Sequence, residues 1–125
     1  MTEVVLDTGA LIALERRDTR MVALADELYR SRRSAFVPAG VIAQIWRGSA
    51  RQHAVLRLIR ADAVRVDPLT EDVACGLGLL LARSGTSDVV DAHVAWLAYR
   101  LRATVVTSDP HDIAALEPGL TTVVI

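Results

Sequence analysis

Four aspartates stand where side chains from separate segments could reach a common crevice. Asp7 directly follows a short apolar run, and Asp109 lies two residues beyond another one. Asp88 and Asp91 are three residues apart, so they share one face of the first turn of a helix that begins near Asp88. If the two apolar runs are parallel strands, their acids lie at the same edge of a sheet, where ligand crevices form. We therefore expect the four carboxylates to converge.

Converging carboxylates predict a metal site. Like charges a few ångströms apart raise one another's pKa, so such a cluster is unfavourable unless a cation binds to it. Oxygen-only donors are typical of Mg²⁺ or Mn²⁺, and the chain offers neither clustered cysteines nor paired histidines for zinc. A bound Mg²⁺ can activate a water molecule and stabilise an in-line displacement at phosphorus. The predicted chemistry is hydrolysis of a phosphodiester bond.

Each acid also suits a purely structural role. Asp7, Asp88 and Asp109 each precede a predicted helix, and aspartate is a favoured N-cap residue. The proline that follows Asp109 is typical of the first helical position. Asp91 is harder to explain in this way, because it lies inside a helix, where aspartate has a poor propensity. Asp112 is predicted to take part only in the capping of the last helix.

The segments around these acids alternate between β-rich and helical patterns. Short apolar runs predict strands at 4–6, 34–37, 64–66, 104–107 and 121–125, with the third at a sheet edge. Helices are predicted after Asp7, from Asp18 or Thr19, at 41–46, 52–60, from Thr70 and at 88–101, and from Pro110. Gly76 and Gly78 weaken the helix predicted from Thr70. This alternation predicts an α/β fold, in which helices cover both faces of a parallel sheet.

Composition limits the class of protein. The 125 residues predict a single domain over residues 1–125, and the 52% hydrophobic content excludes a disordered chain. All 14 basic residues are arginine, which excludes chemistry that needs a lysine, such as P-loop phosphate binding or Schiff-base formation. The apolar runs are too short for a membrane helix, the N-terminus does not resemble a secretory signal, and one cysteine permits no internal disulfide. We expect a cytoplasmic protein without membrane association.

The remaining reactive and aromatic side chains favour structural roles. His93 is two residues from Asp91 and so points elsewhere, and it is predicted to be a structural or surface residue. Cys75 is predicted to be a small buried hydrophobic residue. Trp46 and Trp96 lie in apolar helical patterns and are predicted to pack in the core or in an interface.

Three short motifs carry the acids in a recognisable order. Residues 4–12 read VVLDTGALI, residues 91–95 read DAHVA, and residues 105–109 read VVTSD. In this order and spacing they resemble the motifs of PIN-domain ribonucleases, most closely the VapC toxins of bacterial type II toxin–antitoxin modules. The resemblance covers nearly the whole chain. It implies that Asp7, Asp91 and Asp109 bind Mg²⁺, or alternatively Mn²⁺, and that Asp88 assists them in catalysis.

The resemblance also implies a fold, a substrate and partners. The implied fold is a three-layer α/β PIN-like domain, whose central parallel sheet has about four or five strands with helices on both faces. The implied activity is that of a Mg²⁺-dependent endoribonuclease, in which a metal-activated water hydrolyses RNA and leaves a 5′-phosphate. A homodimer and a small antitoxin partner are further implications, and antitoxins of this family commonly place a basic side chain in the acidic pocket.

One position departs from the family pattern. The family usually has a glutamate in the segment that matches residues 38–47, where this chain has Gln44. The amide keeps an oxygen donor but loses the charge, so either metal affinity falls or Asp88 supplies the missing carboxylate. Gln44 could also simply share a polar helix face with Arg47 and its neighbours. We predict contacts with the substrate from Gln44 and Arg47, because arginine suits phosphate recognition.

Two other functions stay open. A PIN fold in which Gln44 has disabled metal binding would be a binding module that mainly forms a complex with its antitoxin. A phosphohydrolase that acts on small phosphate esters is also possible, but the chain lacks an Asp-x-Asp nucleophile motif, since Gly9 is the second residue after Asp7. Calorimetric magnesium binding tests the first alternative, and a comparison of RNA with a phosphomonoester tests the second.

Overall fold

A computed structural model describes residues 3–125, which form five β-strands and seven α-helices. The strands are β1 (Val4–Leu6), β2 (Ala35–Pro38), β3 (Val64–Asp67), β4 (Thr104–Thr107) and β5 (Thr122–Val124). The helices are α1 (Thr8–Glu15), α2 (Thr19–Tyr29), α3 (Ala39–Ile45), α4 (His53–Ile59), α5 (Glu71–Ser84), α6 (Val89–Leu101) and α7 (Pro110–Leu116). A 3₁₀ turn over Ala50–Gln52 leads into α4, so the helix predicted at 52–60 begins as a tighter turn. The other elements agree with the sequence predictions to within a few residues.

All strand pairs are parallel, and the strand order is β3-β2-β1-β4-β5. The chain adds β2 and β3 on one side of β1 and then returns to add β4 and β5 on the other side. Because crossovers between parallel strands are right-handed, this reversal places α1 to α4 on one face and α5 to α7 on the other. Accordingly α1 contacts α2, α3 and α4, while α6 contacts α5 and α7. The predicted three-layer α/β fold is confirmed.

The central strands are buried on both faces. The three residues of β1 are at most 1% exposed, and the inner side chains of β4 are almost as inaccessible. Ala10, Leu11 and Leu14 cover the sheet from α1, and Val94 and Ala98 cover it from α6. Burial on both sides explains why these strands are continuous apolar runs without polar alternation. The sheet and these helices form a rigid base for the loops at the strand ends.

Helix α5 passes through both glycines that weaken its prediction. A Cβ at Gly76 would lie 2.9 Å from the indole nitrogen of Trp96 on α6, so the glycine permits a close approach of the two helices. Leu77 and Leu80 are buried in the same contact. Cys75 points away from it and is exposed, so the prediction that it is buried is wrong. No single helix within residues 3–125 is long and apolar enough to cross a membrane; only α5 and α6 together meet that test, with a 101° bend between them.

His93 is a structural residue, as predicted. Its side chain is almost fully buried, and its Nε2 lies 2.7 Å from a carboxylate oxygen of Asp67. The edge of its ring also faces Trp96. Because Asp67 ends β3, this contact fixes α6 against the carboxyl end of an edge strand. It thereby helps to orient the first turn of α6.

Candidate active site

The carboxyl ends of β1 and β4 meet where the direction of strand addition reverses. Asp7 follows the last residue of β1, and Asp109 follows the end of β4 by two residues. Helix α6 contacts β1 and β2, and its capping residue is Asp88. In open parallel sheets, the crevice at such a reversal is the usual ligand-binding position. The topology therefore brings all three acid-bearing segments to one place.

Asp7 is held rigidly at the base of this crevice. Its side chain is buried, and its Oδ1 accepts the backbone N–H of Thr8 at 2.7 Å. The hydroxyl of Thr107, a fully buried residue, donates to Oδ2 at 2.7 Å and accepts the backbone N–H of Asp109 at 2.9 Å. Burial raises the pKa of Asp7, the two hydrogen bonds oppose this, and the charges of Asp109 and Asp88 raise it further. Thr107 thus joins the acid of β1 to the turn that carries the acid of β4.

Every other carboxylate of the cluster raises the pKa of Asp91. Its pKa is raised from 3.8 to about 7. Partial burial is the largest cause, followed by the charges of Asp88, Asp7, Asp112 and Asp109 in that order. Asp88 caps α6, because its Oδ1 accepts the backbone N–H of Asp91 at 2.9 Å. Asp88 and Asp7 thus have the capping role that the sequence predicts. Both also remain part of the acidic cluster, because their charges act on Asp91. Five carboxylates act on one another here.

Asp109 and Asp112 form a pair at the start of α7. Asp109 occupies the N-cap position, yet its side chain makes no capping hydrogen bond. Interaction with the side chain of Asp109, through hydrogen bonding and then through its charge, raises the pKa of Asp112. Asp112 also lines a crevice of about 290 Å³ together with Asp88 and Asp91. The prediction that Asp112 serves only in capping is wrong, and its three-residue spacing from Asp109 was the available signal.

Gly9 permits the approach of the first and last acid-bearing segments. A Cβ at this position would lie 2.9 Å from the backbone nitrogen of Ser108 and closer still to its side chain. The start of α1 therefore packs directly against the turn between β4 and α7. This contact sets the spacing between Asp7 and Asp109. The sequence motif contains the glycine, but only the fold reveals its partner.

Gln44 lies in the last turn of α3, beside the start of α1, and Arg47 lies just beyond the end of α3. The Thr8 hydroxyl donates to Oε1 of Gln44 at 2.5 Å, so the amide borders the residue that follows Asp7. The guanidinium of Arg47 turns back on its own helix and donates to the carbonyl oxygens of Ala43 at 3.2 Å and Trp46 at 2.7 Å. Gln44 is thus next to the acidic crevice, whereas Arg47 must leave its helix contacts to reach a phosphate. The roles of both residues in substrate binding stay predictions.

The chemistry of the donor set fits a hard divalent cation. All the candidate donors are carboxylate oxygens, and burial followed by the charges of neighbouring carboxylates raises the pKa of Asp7 and Asp91. Within residues 3–125, however, no three acidic, histidine or cysteine side chains already surround a common point. Hydrogen bonds within the protein engage both oxygens of Asp7 and one oxygen of Asp88, which explains this open arrangement. A cation shared by Asp7, Asp91 and Asp109 would require rotation of some of these side chains.

Three solved structures show a similar fold. The first is VapBC2 from Rickettsia felis bound to a DNA fragment from their promoter, with a TM-score of 0.67, 14% identity and coverage of 98% of both chains. FitAB bound to the IR36 DNA fragment has a TM-score of 0.63 and 19% identity, over 96% of this chain and 93% of that one. FitAcB from Neisseria gonorrhoeae has a TM-score of 0.57 and 19% identity, over 95% of each chain.

The comparison with families is more specific than the fold. No curated protein matches the sequence significantly. Residues 4–116 match the PIN domain family, a span that begins at β1 and ends with α7. It therefore includes Asp7, Asp91, Asp109 and the helices that position them. The chain belongs to the PIN domain family, as the three sequence motifs indicate.

Proposed function

We propose that this PIN-domain chain is a Mg²⁺-dependent endoribonuclease and the toxin of a VapBC-type toxin–antitoxin pair. The observation that carries the proposal is the crowding of carboxylates at the strand reversal, where burial and the neighbouring charges together raise the pKa of Asp91 to about 7. Such crowding destabilises a protein unless a cation neutralises it, so its presence at a ligand crevice points to a metal-dependent function. Membership of the PIN domain family supports the same chemistry.

Asp7, Asp91 and Asp109 would hold the ion, and Asp88 would assist them. A divalent ion bound there supplies a water of lowered pKa and a positive charge for the developing charge on phosphorus. The hydrogen bonds from Thr8 and Thr107 orient Asp7, and each of its carboxylate oxygens keeps a second acceptor site that could face a cation. Asp112, whose pKa is raised by Asp109, would bring a further carboxylate close to the ion. Mn²⁺ meets the same donor requirements as Mg²⁺.

The acidic crevice also supports a protein partner with a basic side chain. An arginine or lysine placed among the five carboxylates would neutralise them as a metal does, and would compete with it. VapBC2 and FitAB, which share the fold, were each solved with bound DNA. We propose that the cognate antitoxin of this chain inserts such a side chain, and that the chain acts in the cytoplasm as a homodimer.

A second candidate is a binding module without catalytic activity. The open arrangement of the carboxylates and the contact between Thr8 and Gln44 favour it, since a glutamine in place of a glutamate removes one negative charge from the site. Titration calorimetry separates the two functions. The nuclease predicts heat of Mg²⁺ binding that Asp7→Asn removes, whereas the binding module predicts no heat that depends on Asp7.

The direct test is incubation of the purified protein with labelled RNA, in Mg²⁺ or in a chelator. We expect cleavage in Mg²⁺, no cleavage in the chelator, and new fragments that end in a 5′-phosphate. A chromogenic phosphomonoester in parallel should not be hydrolysed, because the proposed site acts on phosphodiesters. Hydrolysis of the monoester with intact RNA would reject the ribonuclease in favour of a small-molecule phosphohydrolase.

A further inference from the structure

A second polar cleft lies at the opposite end of the sheet from the carboxylates. It measures about 490 Å³ and is lined by Tyr29, Ser31, His53, Arg57 and Arg60. We call these residues the basic cleft. The segments that contain Tyr29 and Arg60 lead into the amino ends of β2 and β3, whereas the acids lie at carboxyl ends. Four-residue strands span about 13 Å, so the basic cleft and the acidic crevice are separate sites.

The basic side chains of this cleft share one helix face. His53, Arg57 and Arg60 are four and three residues apart, which places them in a row along α4 and its end. The guanidinium of Arg57 lies 4.3 Å from the centre of the Tyr29 ring, so a cation–π contact holds it at the wall. Arg57 is therefore held in place before any ligand arrives.

The two guanidinium groups of this row are available to a ligand. In the described part of the chain, ion pairs involve Arg20, Arg33, Arg83 and His93, and none involves Arg57 or Arg60. Both arginines are exposed. Asp62 also lines the cleft, but it pairs with neither of them. An anionic group that enters would thus meet uncompensated positive charge.

The combination of groups suits a nucleotide strand better than a simple anion. Guanidinium groups bind phosphate oxygens through paired hydrogen bonds, and tyrosine and arginine planes stack on unpaired bases. The acidic crevice repels phosphates, so an RNA strand held only there would be bound weakly. We propose that the basic cleft binds the phosphate backbone of single-stranded RNA outside the catalytic crevice. The identity of the ligand as RNA rests on the proposed function, but binding at the cleft does not require cleavage.

Salt dependence of RNA binding tests this proposal. The probe is a labelled 20-nucleotide oligouridylate (a length of about 20 allows several phosphate contacts), measured by fluorescence anisotropy in a chelator so that no cleavage occurs. For single strands, each lost phosphate contact reduces the slope of log affinity against log salt by about 0.7. We expect that reduction for Arg57→Gln and for Arg60→Gln, and about 1.4 for the double variant.

Arg100→Gln is the matched control. It also removes one exposed charge and one cation–π contact, since the Arg100 guanidinium lies 4.7 Å from the Trp96 ring. Arg60→Gln keeps the contact with Tyr29, so it stays informative if Arg57→Gln is unstable. An unchanged slope in the double variant, or an equal reduction in Arg100→Gln, would overturn the proposal. Oligoglutamate serves as a second probe, which represents an acidic protein. If the double variant loses oligoglutamate binding while its RNA slope is unchanged, the proposal is also overturned and the cleft is assigned to an acidic protein.

RNA cleavage in Mg²⁺ is measured separately from the salt dependence of RNA binding. If the slopes change as expected while Mg²⁺ gives no cleavage, the nuclease function fails and the phosphate site stands. If Mg²⁺ gives cleavage and the slopes do not change, the nuclease function stands and the phosphate site fails. The two proposals are therefore tested independently.

Discussion

Asp91 differs from Asp7 and Asp88 because it has no structural task of its own. Asp7 and Asp88 accept backbone hydrogen bonds at helix starts, but the Asp91 side chain accepts none within the described residues, and its pKa is raised to about 7. Aspartate also has a poor helix propensity at this position. A residue that costs stability in the metal-free protein is expected to act on a ligand.

Asp91→Asn should reduce RNA cleavage by about two orders of magnitude or more, because it removes a charged donor from the site. Asp7→Asn should have the same effect. The measurement is the rate of cleavage of labelled RNA at saturating Mg²⁺, with circular dichroism as the test of folding. Asp72→Asn, in the exposed first turn of α5, is the matched control and should keep the wild-type rate. A folded Asp91→Asn that cleaves at the wild-type rate would reject the assignment.

Gln44→Glu tests the position that departs from the family pattern. Gln44 lies beside Thr8, so a carboxylate there would join the acidic crevice. We expect equal or higher cleavage and tighter Mg²⁺ binding, because the added charge attracts the cation. Mg²⁺ affinity by calorimetry and the cleavage rate both report the effect. A clear loss of both would mean that the site depends on the amide group.

Single residues also show where sequence patterns fail. The positions of Asp7 and Asp109 after apolar runs predict their common location, because strand ends follow from local patterning. The three-residue spacing between Asp112 and Asp109 makes these two neighbours, but the effect of Asp88 on Asp112 depends on how α7 packs against α6, which no local pattern encodes. The exposure of Cys75 depends on which face of α5 meets α6.

At the scale of elements, the contact of α1 with the turn after β4 sets the geometry of the site. Gly9 permits this contact, since any side chain there would overlap Ser108. The contact between His93 and Asp67 acts similarly for α6, which it fixes to the end of β3. Element types and their order could be predicted from periodicity. These two contacts could not, because each joins segments far apart in the sequence.

Gly9→Ala should displace the start of α1 from Ser108 and increase the distance between Asp7 and Asp109. Overpacking of this kind costs about 1–3 kcal/mol of unfolding free energy. A displacement of about 1 Å can reduce a rate about 100-fold, so cleavage should fall more than stability does. Melting temperature and cleavage rate are measured together. Gly78→Ala, where no atom lies within 4 Å, is the control and should keep full activity.

At the scale of the whole molecule, the strand reversal concentrates negative charge at one end of the sheet. The raised pKa of Asp91 has a consequence for stability. A carboxyl whose folded pKa exceeds its unfolded value of 3.8 stabilises the fold below that value, and this stabilisation is lost as the pH rises through about 7. The metal-free protein is therefore strained by its own acids at neutral pH.

Asp91→Asn should accordingly stabilise the metal-free protein at pH 8 and change little at pH 4. Because Asp91 is partly exposed, solvent screening reduces the gain to about 1 kcal/mol, or about 3–6 °C in Tm for a domain of this length. Thermal melts of both proteins at the two pH values, in a chelator, measure it. Mg²⁺ at pH 8 should raise the Tm of the wild type more than that of the variant. Equal Tm values at pH 8 would show that the acids do not repel one another.

The fold class and the location of the site could be predicted from sequence, because strand and helix patterns are local and the acids follow strand ends. The orientation of the Asp7 carboxylate could not be, since it depends on a hydrogen bond from Thr107, which lies 100 residues away in the sequence. The three motifs predict which residues belong together. In the structure their charges act on one another, but within residues 3–125 they do not form a complete set of metal ligands.

The central claim is that carboxylates from β1, α6 and the turn after β4 bind one hard cation. Anomalous diffraction from a crystal soaked in Mn²⁺ measures this most directly. A single peak should appear between the carboxylates of Asp7, Asp91 and Asp109, and it should be absent from an Asp91→Asn crystal. A wild-type crystal in which these side chains adjoin solvent alone, with no anomalous peak between them, would contradict the claim.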